Sequence, residues 1–249
     1  MEFVVGVFIA VAIGLTGVGA GIITAPVLMT FFHVPPAAAV GTALTFGVVT
    51  KFIIVPVYAL RRQVNLRALA LMLLGGLPGV AVGSLLLAHL DVTQHQATIS
   101  LVLGATIVIF AAWSLYRLLR PNSEGVGSER PLWLSLISLP IGAEVGFSSA
   151  GSGSLASLAL MAFTKLQAAT VVGTDVCFGL GISIVGSGIL LTSGHYDGAI
   201  LPKLLAGGIL GAIIAPNISA YIPSRPLRAG LLIWIILLGG QLVFKGMSH

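Results

Sequence analysis

The chain has 249 residues, 57% of them hydrophobic and only 8% charged. A soluble domain carries about 25% charged residues, so polar side chains are too few to cover a globule and a lipid bilayer must face most of the surface. The net charge of +5 comes without a basic stripe or an aromatic platform, which argues against a nucleic-acid partner, and the single cysteine, Cys177, rules out an intrachain disulfide. The histidines are scattered, and neither a metal site nor a cofactor is expected.

The first apolar run, 3–13, contains the small-x-small pattern Ala10-Val11-Ala12 but starts with Glu2 and no basic residue, so residue 1 onward reads as mature protein. A second short run, 22–32, follows a glycine cluster, and then come three long runs at 37–60, 66–89 and 96–117. A polar, turn-rich stretch at 119–130 leads to short runs at 132–145 and 154–164 and long ones at 169–192, 199–221 and 228–245. The long runs reach the ~20 residues that cross ~30 Å of hydrocarbon. Each of the first two short runs rises only about 16 Å. Such a pair forms either a re-entrant hairpin or two short crossings, and both return the chain to its starting side.

Shifting the chain by 132 positions aligns 14–115 with 146–247 without a gap. Gly14, Gly19 and Gly21 fall on Gly146, Gly151 and Gly153; Val40-Gly41-Thr42 falls on Val172-Gly173-Thr174; Gly75, Gly76 and Gly79 fall on Gly207, Gly208 and Gly211. The chain therefore reads as a duplication: an all-α integral membrane protein with a first transmembrane repeat over 1–118, a cytoplasmic linker over 119–130 and a second repeat over 131–249. Each repeat holds a glycine-broken short helix pair plus three transmembrane helices. An odd number of crossings per repeat places the two copies in inverted topology.

The loop charges give an independent check. Arg61, Arg62 and Arg67 flank a loop whose mate, 193–198, has no Arg or Lys; the loop after His89 has none, whereas its mate carries Arg225 and Arg228; His33-Val34-Pro35-Pro36 has none, whereas its mate begins with Lys165. Equivalent loops on opposite sides satisfy the positive-inside rule. These residues, with Arg117, Arg120 and Arg130, then face the cytoplasm, and both termini, with Glu2 and Lys245, face outside. A parallel duplication of four crossings each would put Lys165, Arg225 and Arg228 on the wrong side.

The two glycine clusters, 14–21 and 146–154, carry the candidate chemistry. Irregular backbone at membrane depth must be buried in protein or line a wet cavity, and helix N-termini favour an anion. The expected substrate-binding residues are Thr16, Gly17, Gly19, Gly21 and Thr42 from the first half, and Ser148, Ser149, Gly151, Ser152, Gly153 and Thr174 from the second. Thr24 precedes Ala25-Pro26, a proline suited to a first helical turn. Glycines 75, 76, 79, 207, 208 and 211 read as packing positions. Asp175 lies well inside an apolar run and its repeat mate is Ala43. Together with Glu144 and Lys51 it is a candidate for proton coupling or charge pairing. Asp175 could equally be a structural carboxyl near a helix end, and Lys51 could snorkel. Cys177 reads as a small packing residue.

At these residues the sequence resembles the sulfite exporter TauE/SafE family of membrane permeases. The resemblance rests on 14–21 with Pro26, Ala39-Val40-Gly41-Thr42, Val64-Asn65-Leu66-Arg67, Gly75-Gly76-Leu77-Pro78-Gly79, Gly151-Ser152-Gly153, Val172-Gly173-Thr174-Asp175, His195-Tyr196-Asp197-Gly198 and 223–228. It implies a bacterial inner-membrane transporter that exports a small sulfur-containing anion such as sulfite or an organosulfonate. The glycine run departs from the family pattern at Ala20, Ser152 and Ser154, and Ser157 or Leu158 stands where a proline is expected.

The expected function is thus a secondary transporter that moves a small anionic substrate by alternating access, with a proton or another ion as coupling partner. No phosphate-binding loop is present to supply nucleotide energy. The alternatives are a passive anion channel and a membrane assembly or partner-binding protein. An embedded enzyme is disfavoured, because no His-Glu-x-x-His or Gly-x-Ser-x-Gly pattern occurs.

Overall fold

A computed structural model describes residues 1–16, 20–90, 92–119, 132–150, 153, 155–218 and 224–247. Among them are ten helices: α1 (Glu2–Thr16), α2 (Ala20–Phe31), α3 (Pro36–Leu60), α4 (Leu66–His89), α5 (Val92–Leu119), α6 (Leu132–Ser148), α7 (Leu155–Phe163), α8 (Ala168–Thr192), α9 (Leu201–Ile218) and α10 (Ser224–Met247). Four stretches are long and apolar enough to cross a membrane: Pro36–Leu60, Leu66–His89, Thr98–Tyr116 and Ala169–Thr192. Shorter apolar helices accompany them. Phe52, Leu74, Ile109, Leu136, Ile213 and Leu237 are exposed, an outer surface suited to lipid rather than water.

Small residues decide which helices meet. On α4, Gly75, Gly79 and Gly83 lie directly against the carbonyls of Ser135, Leu139 and Ala143 on α6, so that an added Cβ would collide with each. Gly142 and Gly146 of α6 lie in the same way against the α4 backbone. Without Cβ atoms the two backbones approach closely, which is how helices associate where hydrocarbon supplies no hydrophobic drive. Contacts advance together along α4 and α6, so the pair is parallel. The α1–α9 pair repeats the arrangement: Gly207 meets Phe3, Gly211 meets Val7, and Gly14 meets Ala215.

These contacts follow a rule. A contact between residue i of the first half and j of the second recurs between i+132 and j−132. Gly75–Ser135 becomes Gly207–Phe3, and Gly76 against the Phe178 ring becomes Gly208 against the Phe46 ring. Gly41 against His195 becomes Gly173 against Gln63. The Thr42 hydroxyl accepts the Asp197 N–H at 3.0 Å, and the Thr174 hydroxyl accepts the Asn65 N–H at 2.9 Å. The Lys51–Ser183 contact maps onto itself. This is the contact pattern of a two-fold rotation. Along α3 and the turn after it, residues 41, 51 and 63 meet residues 195, 183 and 173 of α8 and its following turn in order, so α3 and α8 run antiparallel and the axis crosses them.

Helix ends repeat as well. The Asn65 side chain accepts the Ala68 N–H at the start of α4, and the Asp197 side chain accepts the N–H groups of Ala199 and Ile200 just before α9. Both are Asx caps for otherwise unpaired donors. After α3 the chain turns through Arg62 at φ 55°, and after α8 through its mate Gly194 at φ 75°. The N–H groups of Gln63 and His195 then return to Tyr58 and Leu190, a left-handed helix stop.

Two local expectations change. Gly14 and Gly146 do not break their helices; α1 and α6 run on to Thr16 and Ser148, with Gly14 half-buried against Ala215 of α9 and Gly146 buried against α4. Pro26 is not in a first turn either. It lies inside α2, which starts at Ala20; a proline in a helix interior removes one backbone bond, and membrane helices tolerate this where neighbours satisfy the freed groups.

Candidate functional site

Where α6 ends, Ser149 takes a positive φ of 62° and turns the chain inward. Ser148, Ser149 and Ala150 are all buried. The Ser148 hydroxyl donates to the Glu144 carboxylate and accepts the Ala150 N–H at 3.1 Å. The first turn of α2 arrives at this corner. Gly21 sits against the Ser149 carbonyl so closely that no Cβ would fit, and the Ser149 hydroxyl reaches the Gly21 carbonyl at 3.4 Å. Both broken regions thus come to one point. Of the expected site residues, Gly21, Ser148 and Ser149 gather here. Gly153 is half-buried just ahead of α7. Thr16 ends α1, while Gly17, Gly19, Gly151 and Ser152 lie outside the described residues.

A polar seam continues from this corner between α3 and α8. Gly47 leaves room beside Ala20 and the Ser183 hydroxyl. The Lys51 ammonium, 6% exposed, donates to Ser183 Oγ at 3.2 Å. It lies over Gly179, where an added Cβ would come within 2.7 Å of Nζ. Asp175, 5% exposed, is one turn further along the same α8 face, since positions four apart stack on a helix. Its charge acts on both Lys51 and Tyr58, and its Oδ2 accepts the Ser157 hydroxyl of α7 at 2.5 Å. Lys51 and Asp175 are therefore buried together and face each other across the helix pair.

The other candidates are placed elsewhere. Thr42 and Thr174 bind the turns ahead of α9 and α4 at opposite ends of the bundle. Glu144 belongs to the Ser148 corner and also borders a groove of about 560 Å³ lined by Phe110, Trp113, Pro140, Leu158 and Phe163. Gly179 and Ser183 were not singled out from the sequence, and Ser157 was noted only as standing where a proline is expected. A signal for Ser183 was present, because it is the mate of Lys51 under the 132-residue shift, so two polar residues share one pseudo-symmetric position.

Apolar helices, several of crossing length, enclose a charged seam that opens from two interrupted segments, and such an arrangement defines a multi-pass membrane protein built around a polar interior. The chain belongs to the sulfite exporter TauE/SafE family, a family of membrane transporters, whose profile matches residues 2–242. It is 31% identical to a protein of Bacillus subtilis (strain 168) named as a probable membrane transporter, YjnA, over 94% of this chain and 95% of that one. Two further B. subtilis proteins with the same description are similar: YdhB at 23% identity, covering 95% of this chain and 96% of the relative, and YunE at 24%, covering 99% of each. No solved structure matches.

Proposed function

We propose that this membrane transporter is a secondary carrier that exports a small sulfur-containing anion, such as sulfite or an organosulfonate, across the bacterial inner membrane. The observation that carries the reading is the buried seam itself. A lysine held in the interior of a lipid-facing bundle is costly unless a counter-charge attends it, and this one adjoins the corner where Gly21 meets Ser149. The Ser183 hydroxyl accepts from Lys51 and keeps its own proton to donate, without fixed charge, to an oxyanion. The substrate class itself comes from the family description.

The antiparallel α3–α8 crossing supports inverted repeats over 1–118 and 131–249. A two-fold axis that crosses membrane-spanning helices lies in the membrane plane, and that relation exchanges the two sides. Arg61, Arg62, Arg67 and Lys165 cluster at the end of the bundle where α3 stops and α8 begins, which supports a cytoplasmic assignment for that end. Glu2 lies at the other end, 3.8 Å from Lys203. Rocking one half against the other would then open the seam to each side in turn.

Purified protein in liposomes should give saturable efflux of labelled sulfite or isethionate; flux no greater than from empty liposomes would remove the proposal. Orientation has its own test. With Cys177 replaced by serine, Arg61→Cys and Ser193→Cys should be labelled by impermeant reagents from opposite faces, and labelling from one face would overturn the inverted arrangement.

A further inference from the structure

We infer that Asp175 is an internal rival of the transported anion for Lys51, so that each bound anion brings a proton with it. The inference rests on the anion-carrier reading and adds to it the coupling ion, the coupling residue and the charge class of the substrate.

The geometry is linear along one face of α8. Ser183, Gly179 and Asp175 are spaced four apart, and Lys51 of α3 reaches across to Gly179 and Ser183 while feeling the charge of Asp175. In a low-dielectric interior the seam is stable only when its charges sum to about zero. With Lys51 in its ammonium form, two occupancies meet that condition. In the first, Asp175 is ionised and balances Lys51. In the second, a solvent proton converts the Asp175 carboxylate to the neutral acid, and a monoanion balances Lys51 in its place. Anion without proton leaves one excess negative charge, and proton without anion leaves one excess positive charge. A dianion leaves a negative charge even with the proton bound, so the site should prefer hydrogensulfite or a sulfonate to sulfate.

The other ionisable groups nearby do not supply the same exchange. α2 and α7 carry none. On α4, Arg67 and His89 are exposed at its two ends, and on α9 Lys203 is exposed beside Glu2. Glu144 of α6 is engaged by Ser148. On α5, Tyr116 is exposed, and the side chains of His95 and Arg117 lie outside the described ones. Tyr58 of α3 and Cys177 of α8 are both neutral as acids and cannot take up a proton. Asp175 also holds Ser157, which connects the titrating group to α7, the helix that follows the second interrupted segment. The first half has Ala43 and Ala25 at the mate positions, so the device resides in one repeat.

The test is calorimetric binding of methanesulfonate, a monoanion at every working pH, to the full-length protein in nanodiscs, measured in buffers of different ionisation enthalpy. The wild type should take up about one proton per anion, and affinity should fall about tenfold per pH unit above the pH where Asp175 ionises, as reciprocal linkage requires. Asp175→Asn should abolish proton uptake and bind more tightly than the wild type at high pH, with the preference for a monoanion over sulfate kept, because the amide carries the same charge as the neutral acid. Ser157→Ala, which leaves the carboxylate in place, should keep proton uptake and guards against misfolding of the first variant. Binding without proton uptake in the wild type, or uptake that persists in Asp175→Asn, would overturn the inference while leaving the carrier reading intact. A wild type that binds neither methanesulfonate nor hydrogensulfite would sink both.

Discussion

α2 and α7 are repeat mates, yet the molecule treats them differently. Ten of the 12 residues of α2 are buried, and its last residue, Phe31, stacks on Trp234 of α10 with ring centroids 6.4 Å apart. In α7 only Ala156, Ala159 and Leu160 of nine residues are buried, and the side toward α5 borders the groove beside Glu144. The polar chemistry is divided along the same line: Asp175 and Ser157 belong to the second half, and their mates are Ala43 and Ala25. A framework that obeys the exchange rule therefore carries an unequal pair of short helices. Symmetry of packing fixes where the seam lies, while asymmetry of side chains sets what it can do.

The symmetric part of this comparison should be the most sensitive to disruption. Gly75→Leu and its mate Gly207→Leu should each cost at least about 3 kcal/mol, because a backbone carbonyl occupies the space a side chain would need. The two losses should be similar in thermal unfolding of the detergent-purified protein. Gly188, with nothing within 4 Å of an added Cβ, is the control: Gly188→Ala should change stability by about 1 kcal/mol or less, toward greater stability. Unequal losses at the mates would break the equivalence of the two parallel helix pairs.

The mates Lys51 and Ser183 test the asymmetric part. Lys51→Met should lower anion flux about 100-fold, the order expected when one member of a buried charge pair is removed, while Ser183→Ala should lower it only about tenfold, the low end for a hydrogen bond to a charged group. Equal losses would mean that the position matters and the charge does not. A smaller contrast is expected at α7 and α2: Ser157→Ala should reduce flux about fivefold, whereas Ala25→Ser should leave it within about twofold, since helical serines satisfy themselves on their own backbone. The smallest effect is at the helix stops. Arg62→Gly should stabilise the protein by about 0.5 kcal/mol, since Arg62 holds a left-handed conformation that its mate Gly194 adopts without strain; a loss of stability would show that Arg62 makes a contact that matters more than its backbone.

Much of the framework was legible in the chain. The 132-residue shift, the runs at 66–89 and 169–192 and the packing glycines 75, 76 and 79 all depend on periodic patterns, which survive translation from sequence to helix. The helix breaks were less legible, because a glycine has two uses. Gly14 and Gly146 looked like parts of the loops and are packing contacts inside α1 and α6, while Gly21, in the first turn of α2, admits the close approach of Ser149. Sequence periodicity cannot separate these, since both require the absence of a Cβ and the distinction lies in what stands opposite.

Hydropathy, repeat register and charge bias by themselves determined that the chain is a helical membrane protein whose halves match under a 132-residue shift, with basic residues in one loop of each matched pair. These are local or strictly periodic properties, and each can be read from neighbours in the chain. Only the tertiary structure decided that Thr42 and Thr174 serve the turns instead of the centre, and that Lys51, Asp175, Ser157 and Ser183 form one seam. Those residues come from three helices, α3 lying more than a hundred positions from α7 and α8, and what brings them together is the antiparallel crossing of α3 and α8, a property of packed surfaces that no single segment encodes.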